Sequence, residues 1–234
     1  MDTFSDSLAV AAALVTNLDP KLLTVVELSL RVSLTATFLA ACIGLPLGAA
    51  IAVGHFPGRQ TLTVLLNAMM GLPPVVVGLV VYLLLSRAGP LGALGILFTP
   101  TAMIIAQTIL ITPIIAALSR QIVADAWAEY REQLTSLGAH TVGAVFTLLW
   151  DTRFSLATVL LAGFGRAIAE VGAVMIVGGN IDGVTRVMTT TIALETSKGD
   201  LPLALALGLV LIAIVLLLNA AAQWIREWSR LRYG

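Results

Sequence analysis

Trp127-Ala128-Glu129-Tyr130-Arg131-Glu132-Gln133-Leu134-Thr135-Ser136-Leu137-Gly138-Ala139-His140 is a polar, amphipathic run in an apolar chain. It leads into an apolar helix predicted over residues 154–177 that carries Arg166 and Glu170. Trp127, Tyr130, Leu134, Leu137, Val142 and Val145 recur at helical spacing and form one greasy stripe. On a polar loop between two membrane spans, such a stripe needs a partner or a membrane surface to cover it.

The rest of the chain reads as membrane span. Of 234 residues, 59% are hydrophobic and only 11% charged, and the mean hydropathy is +1.00. Soluble domains are about a quarter charged, so this is an integral membrane protein. With Lys and Arg balanced by Asp and Glu, no clustered positive surface is left for phosphates, and no nucleic-acid partner is expected. One cysteine, Cys42, excludes an intrachain disulfide and a cysteine metal cluster. The acidic start, Asp2 and Asp6, lacks the basic opening of a signal peptide.

Residues 4–18 are too short to cross a bilayer, which needs about 20 residues, and are expected to lie in the interface. Spans are predicted over 27–53, 62–85, 101–118, 154–177 and 201–222. The first contains Gly44, Pro46 and Gly48, suited to close helix approach and a kink. The second carries Pro73 and Pro74 in mid-membrane, where freed carbonyls need protein or water in a cavity. That makes it either the lining of a pathway or a plain bend. The third holds Gln107, Thr108, Thr112 and Pro113, whose polar groups should face the bundle interior. Residues 181–200 are Thr-rich and expected to be irregular. After the fifth span, Trp224, Arg226, Trp228, Arg230 and Arg232 read as an interfacial anchor.

Five spans put the termini on opposite sides. With loop 119–152 and the C-terminal tail 225–234 in the cytoplasm, Arg59, Arg120, Arg131, Arg153, Arg226, Arg230 and Arg232 fall inside. Lys21, Arg31, Arg87, Arg186 and Lys198 then fall outside, so the N-terminus is expected outside. Residues 1–21 form the interfacial segment and 22–224 the membrane core of a single domain.

His55 and His140 belong to no hydrolase or zinc arrangement, and neither Lys21 nor Lys198 follows a glycine-rich phosphate loop. The chain is therefore expected to be no enzyme, to hold no cofactor or metal, and to hydrolyse no ATP of its own. Arg166 and Glu170 stand one helical turn apart on one face. A charge at mid-membrane costs about 2.5 to 3.5 kcal/mol, so both should point into the bundle. Arg166 then meets an anion or gate partner, or the two form a self-neutralising pair that fixes packing. Five spans enclose little interior, and a homodimer is the natural way to enlarge it.

Glu132 and Gly138 resemble the cytoplasmic motif of ABC importer permeases, Glu-Ala-Ala, three residues, Gly, nine residues, Ile-x-Leu-Pro. Gln133 and Leu134 stand at the alanines, and Leu148-Leu149-Trp150-Asp151 replaces the closing Leu-Pro. Leu72-Pro73-Pro74-Val75-Val76-Val77-Gly78-Leu79 looks like the second-span signature of molybdate, tungstate and sulfate permeases. Residues 149–154, 162–180 and 185–196 look like the tungstate-type branch, and the resemblance covers residues 22–219.

That resemblance implies a type I ABC importer permease fold, all-α, with five transmembrane helices, the N-terminal interfacial helix and a cytoplasmic coupling helix around Glu132 to Gly138. It also implies a homodimer in the cell inner membrane, two cytoplasmic ATP-binding subunits that hold ATP and Mg, and an extracytoplasmic oxyanion-binding protein. Glu129, Tyr130, Glu132, Leu134, Leu137 and Gly138 would then couple to the ATPase. Arg166, Glu170, Thr108, Thr112, Pro73 and Pro74 would line the pathway or its gate. The competing class is an ion-gradient carrier or channel, although paired repeats of the kind such carriers show are not evident.

Overall fold

The computed structural model describes residues 3–233, and among these the regular structure is helical. In chain order the helices are α1 (Thr3–Thr16), α2 (Pro20–Val53), α3 (Arg59–Met69), α4 (Pro74–Leu85), α5 (Pro100–Ser136), α6 (Thr141–Asp151), α7 (Arg153–Ile168), α8 (Gly172–Gly178), α9 (Met188–Lys198) and α10 (Leu201–Tyr233), with a 3-10 turn at Gly92–Leu94. By length and composition α2, α5 and α10 can each cross a membrane. The pairs α3 with α4, bent by 100°, and α6 with α7, bent by 75°, raise the number of possible spans from 3 to 5.

Several expectations need correction. The span expected over 62–85 is broken, because Pro73 and Pro74 begin a new helix and do not sit inside one. Proline lacks an N–H and biases the preceding residue to extended backbone, and Pro73 has ψ 121°. The carbonyl that a helical residue 73 would have bonded, Met69 O, accepts instead from Leu72 N–H at 3.2 Å. The segment 127–136 is no loop but the continuation of α5. Nothing between Leu118 and Leu137 breaks a helix, and Ala, Glu, Gln, Arg and Leu all favour one. The expected short helix at Glu132 to Gly138 is thus the last turn of a 37-residue helix, and the short helix of this region is α6.

The span expected over 154–177 is interrupted between Ile168 and Gly172. Within 181–200, expected to be irregular, α9 forms instead. The hydroxyl of Thr190 accepts from Val187 N–H at 3.1 Å, and that of Thr191 donates to Val187 O at 2.7 Å. Threonine back-bonding fastens the first turn of α9, and Thr189, Thr190 and Thr191 are buried. The C-terminal anchor continues α10.

The helices gather into two compact units. The first holds the chain up to Ala36, Pro73–Gln107 and Gly165–Leu217, and the second holds Thr37–Leu72, Thr108–Phe164 and the chain from Leu218. In the second unit α2 crosses α5 closely at glycine. A Cβ on Gly48 would lie 2.2 Å from Ser119 Oγ and 2.4 Å from Ala116 O, and one on Gly44 would lie 3.0 Å from Ile115. In the first unit α4 crosses α8 as closely, and a Cβ on Gly78 would lie 2.7 Å from Ala173 Cα. Arg59, opening α3, donates Nε to Ile51 O at 2.8 Å and Nη2 to Ala52 O at 2.7 Å. A cation thus closes the C-terminus of α2, where the helix dipole is negative.

Candidate functional site

Two constellations carry the chemistry, each within one unit. In the second unit α5 ends at Gly138, whose φ of 73° is open to glycine at little cost. Ala139 N–H reaches back to Leu134 O at 2.9 Å, and Gly138 N–H to Thr135 O at 3.0 Å, the hydrogen bonds of a left-handed helix stop. The turn lets α6 lay Ala144 and Leu148 against Ala49, Ala52, Val53, Val123 and Ala126.

That packing divides the expected stripe. Trp127, Tyr130, Leu134 and Val145 are used internally, covering this cluster. What stays outside is Leu137, 82% exposed, with Val142, Phe146 and Trp150 at 67%, 68% and 71%. The last three stand four residues apart and share one face of α6. The exposed apolar face therefore lies on α6, and of the expected stripe only Leu137 and Val142 belong to what stays outside. Trp150 is steadied by Arg153, whose guanidinium lies 4.9 Å from its ring centre and 4.5 Å from that of Phe154. Phe154 in turn meets Trp228 of α10 edge-on at 5.3 Å.

Glu129 and Glu132 are exposed and rim a cleft of about 700 Å3 with His55, Arg59 and Arg131. In this charged end of α5, the Glu129 carboxylate holds the neighbouring Tyr130 phenol above its ordinary range, by its charge and by a hydrogen bond. Of the expected coupling residues, Glu129, Glu132, Leu137 and Gly138 are accessible, whereas Tyr130 and Leu134 are largely packing residues.

The second constellation, in the first unit, is the break between α7 and α8. Glu170 is 5% exposed and all its polar groups are engaged. Its Oε2 accepts from Arg166 Nη1 at 2.5 Å, and its Oε1 from Ala173 N–H at 3.2 Å. Its N–H donates to Ala167 O at 3.1 Å. Its carbonyl accepts from Thr189 Oγ1 of α9 at 2.7 Å. Gln107 of α5, 3% exposed, donates Nε2 to Ala167 O at 3.0 Å. The break is thus stitched by side chains, as an interrupted helix in an apolar medium requires. Gln107 and Thr189 complete the knot, and only their polarity in apolar surroundings marks them in the sequence.

Arg166 is less enclosed, its side chain 39% exposed. Beyond Glu170, its guanidinium meets no acceptor among the described residues. Pro73 and Pro74 begin α4, whose Val75 Cγ2 would lie 2.7 Å from a Cβ on Gly172, so they belong to this unit. Thr108 and Thr112 belong to the second unit. The Thr112 hydroxyl donates to Thr108 O at 2.7 Å, beside Pro113 inside α5, and is spent within its own helix.

The model of a family described as "Binding-protein-dependent transport system inner membrane component" matches residues 44–233. The chain is 40% identical to the tungstate uptake system permease protein TupB of Peptoclostridium acidaminophilum, over 97% of this chain and 100% of that protein. It is 40% identical to a probable anion ABC transporter permease protein of Haloferax volcanii, over 91% of this chain and 94% of that one. To TupB of Campylobacter jejuni it is 36% identical, over 94% and 92% of the two chains.

Proposed function

Because this chain belongs to the family of binding-protein-dependent transport system inner membrane components, we propose that it is the membrane-spanning permease subunit of an ATP-driven importer that carries an oxyanion, tungstate in particular, inward. Two of its relatives bear the name of a tungstate permease and a third that of an anion permease. The identity to the two tungstate permeases, 40% and 36%, exceeds the 28% to a molybdenum permease and the 29% to a sulfate permease, which favours tungstate over molybdate or sulfate as cargo.

The observation that carries the coupling reading is the bare apolar face of α6. A polypeptide without a phosphate loop can draw on ATP only through another subunit, and that subunit needs a handle. Val142, Phe146 and Trp150, beside the Gly138 turn, are that handle, and a helix laid in a groove is a standard way to cover it. Two cytoplasmic ATP-binding subunits then hold ATP and Mg, an extracytoplasmic protein delivers the oxyanion, and the chain itself holds no cofactor. It works as a homodimer in the inner membrane, a single membrane domain with five crossings, α1 in the outer interface and the C-terminus in the cytoplasm. Arg166 is the anion-facing group of the pathway.

Vesicles test this directly. The chain reconstituted alone should move no tungstate under any salt or proton gradient, and uptake should appear when the ATPase, the binding protein and ATP are added. Gradient-driven flux by the chain alone would assign it to secondary carriers.

A further inference from the structure

We propose that Glu170 is a built-in rival of the transported anion, a positioning residue that holds Arg166 and keeps it from binding the cargo too tightly. This rests on the reading of Arg166 as the anion-facing group.

The two members of the pair differ in ways that mere charge neutralisation does not call for. Glu170 is 5% exposed; its backbone is pinned to Ala167 and Thr189, and its carboxylate is held at two points, by Arg166 and by Ala173 N–H. Burial and the second anchor oppose its swinging away. Arg166 is 39% exposed and anchored at one point, through Nη1. A guanidinium carries five N–H donors, so most of its hydrogen-bonding capacity is left unused by Glu170 on a side chain that is partly exposed. An incoming tetrahedral anion finds donors in a fork suited to its oxygens, on a group whose charge is already balanced.

That arrangement meets the conflicting demands of conduction, attraction enough to enter and weakness enough to leave. An arginine without its carboxylate would attract a dianion strongly in apolar surroundings, where screening is poor, and would trap it. With Glu170 in place, the cargo gains only what it takes from a buried carboxylate that Ala173 N–H also holds. Loss of Glu170 should therefore tighten anion binding and slow transport, opposite to the loss of a cargo-binding group.

The experiment is equilibrium binding of tungstate to the purified permease–ATPase complex without its binding protein, by titration calorimetry, beside uptake by the complete reconstituted importer. Glu170→Gln should lower the dissociation constant tenfold or more while the maximal uptake rate falls. The double change Arg166→Gln with Glu170→Gln should abolish the tightening. Should Glu170→Gln fail to assemble, Glu170→Asp decides, since it withdraws the carboxylate by about 1.5 Å and should tighten binding severalfold. Unchanged or weaker tungstate binding in an assembled Glu170→Gln complex, or in Glu170→Asp, overturns the rivalry and leaves a packing pair. Normal uptake by Arg166→Gln alone overturns instead the reading of Arg166 on which the rivalry stands.

Discussion

Replacing Phe146 with Ser removes the middle of the apolar face on α6 and touches none of its inward contacts. An aromatic side chain buries about 200 Å2 when fully covered. With Phe146 68% exposed, docking under a partner subunit would hide about 140 Å2 more, worth about 3.5 kcal/mol at about 25 cal/mol/Å2. Taken whole, that is about 300-fold in a dissociation constant. Area converts to affinity incompletely, so a loss of tenfold or more is expected. The permease itself should be unaffected, since exposed substitutions usually stay within about 0.5 kcal/mol. The contrasting change is Leu148→Ala, at a residue 1% exposed in the cluster beneath. It should cost the permease about 2 to 5 kcal/mol and act first on its melting temperature. The assay is titration of the permease, in detergent or nanodiscs, with its ATPase, read as ATPase binding and as stimulated hydrolysis. If Phe146→Ser binds and stimulates like the parent, α6 is not the handle, and its bare face meets lipid alone.

Gly138→Val should permit insertion but reduce ATPase stimulation and uptake. Open space surrounds that Cβ position, so the penalty, about 1 to 2 kcal/mol, falls on the left-handed backbone and shifts α6 instead of unfolding the helices; normal transport by this variant removes the turn from the coupling path. Gly48→Leu should lower the thermal stability of the permease, because its side chain must enter space held by Ser119 and Ala116. Overpacking costs about 1 to 3 kcal/mol or more, and an unchanged melting temperature in a fluorescence-monitored ramp would disprove that the two helices meet there.

The long apolar runs of α2, α5 and α10 are legible because each is the dominant signal over 20 or so residues. What the residues conceal are the places where a helix and a membrane span part company. After Leu118 the side chains turn polar, and that marks the edge of an apolar layer, yet the backbone has no reason to stop before Gly138. At Pro73 and Pro74 the reverse holds, since the side chains stay apolar while the helix restarts. The threonine run at 189–191 hid α9, because threonine is read as a turn former until its hydroxyls are seen bonded to Val187. The paired charges were legible from their spacing. That Glu170 is buried and Arg166 partly exposed was not, because burial depends on Thr189, which arrives from α9, and on the helix break that turns Ala173 N–H toward the carboxylate.

α5 is one continuous bar of 37 residues, about 55 Å at 1.5 Å per residue, against a hydrocarbon layer of about 30 Å. Within the second unit it runs unbroken from Thr108 to Ser136, up to the Gly138 turn, so a push at that turn needs no relay of loops to be felt along it. The one compliant joint along that bar is Pro113, where a missing N–H leaves the ladder open, so the choice between rigid tilting and local flexing comes down to a single residue.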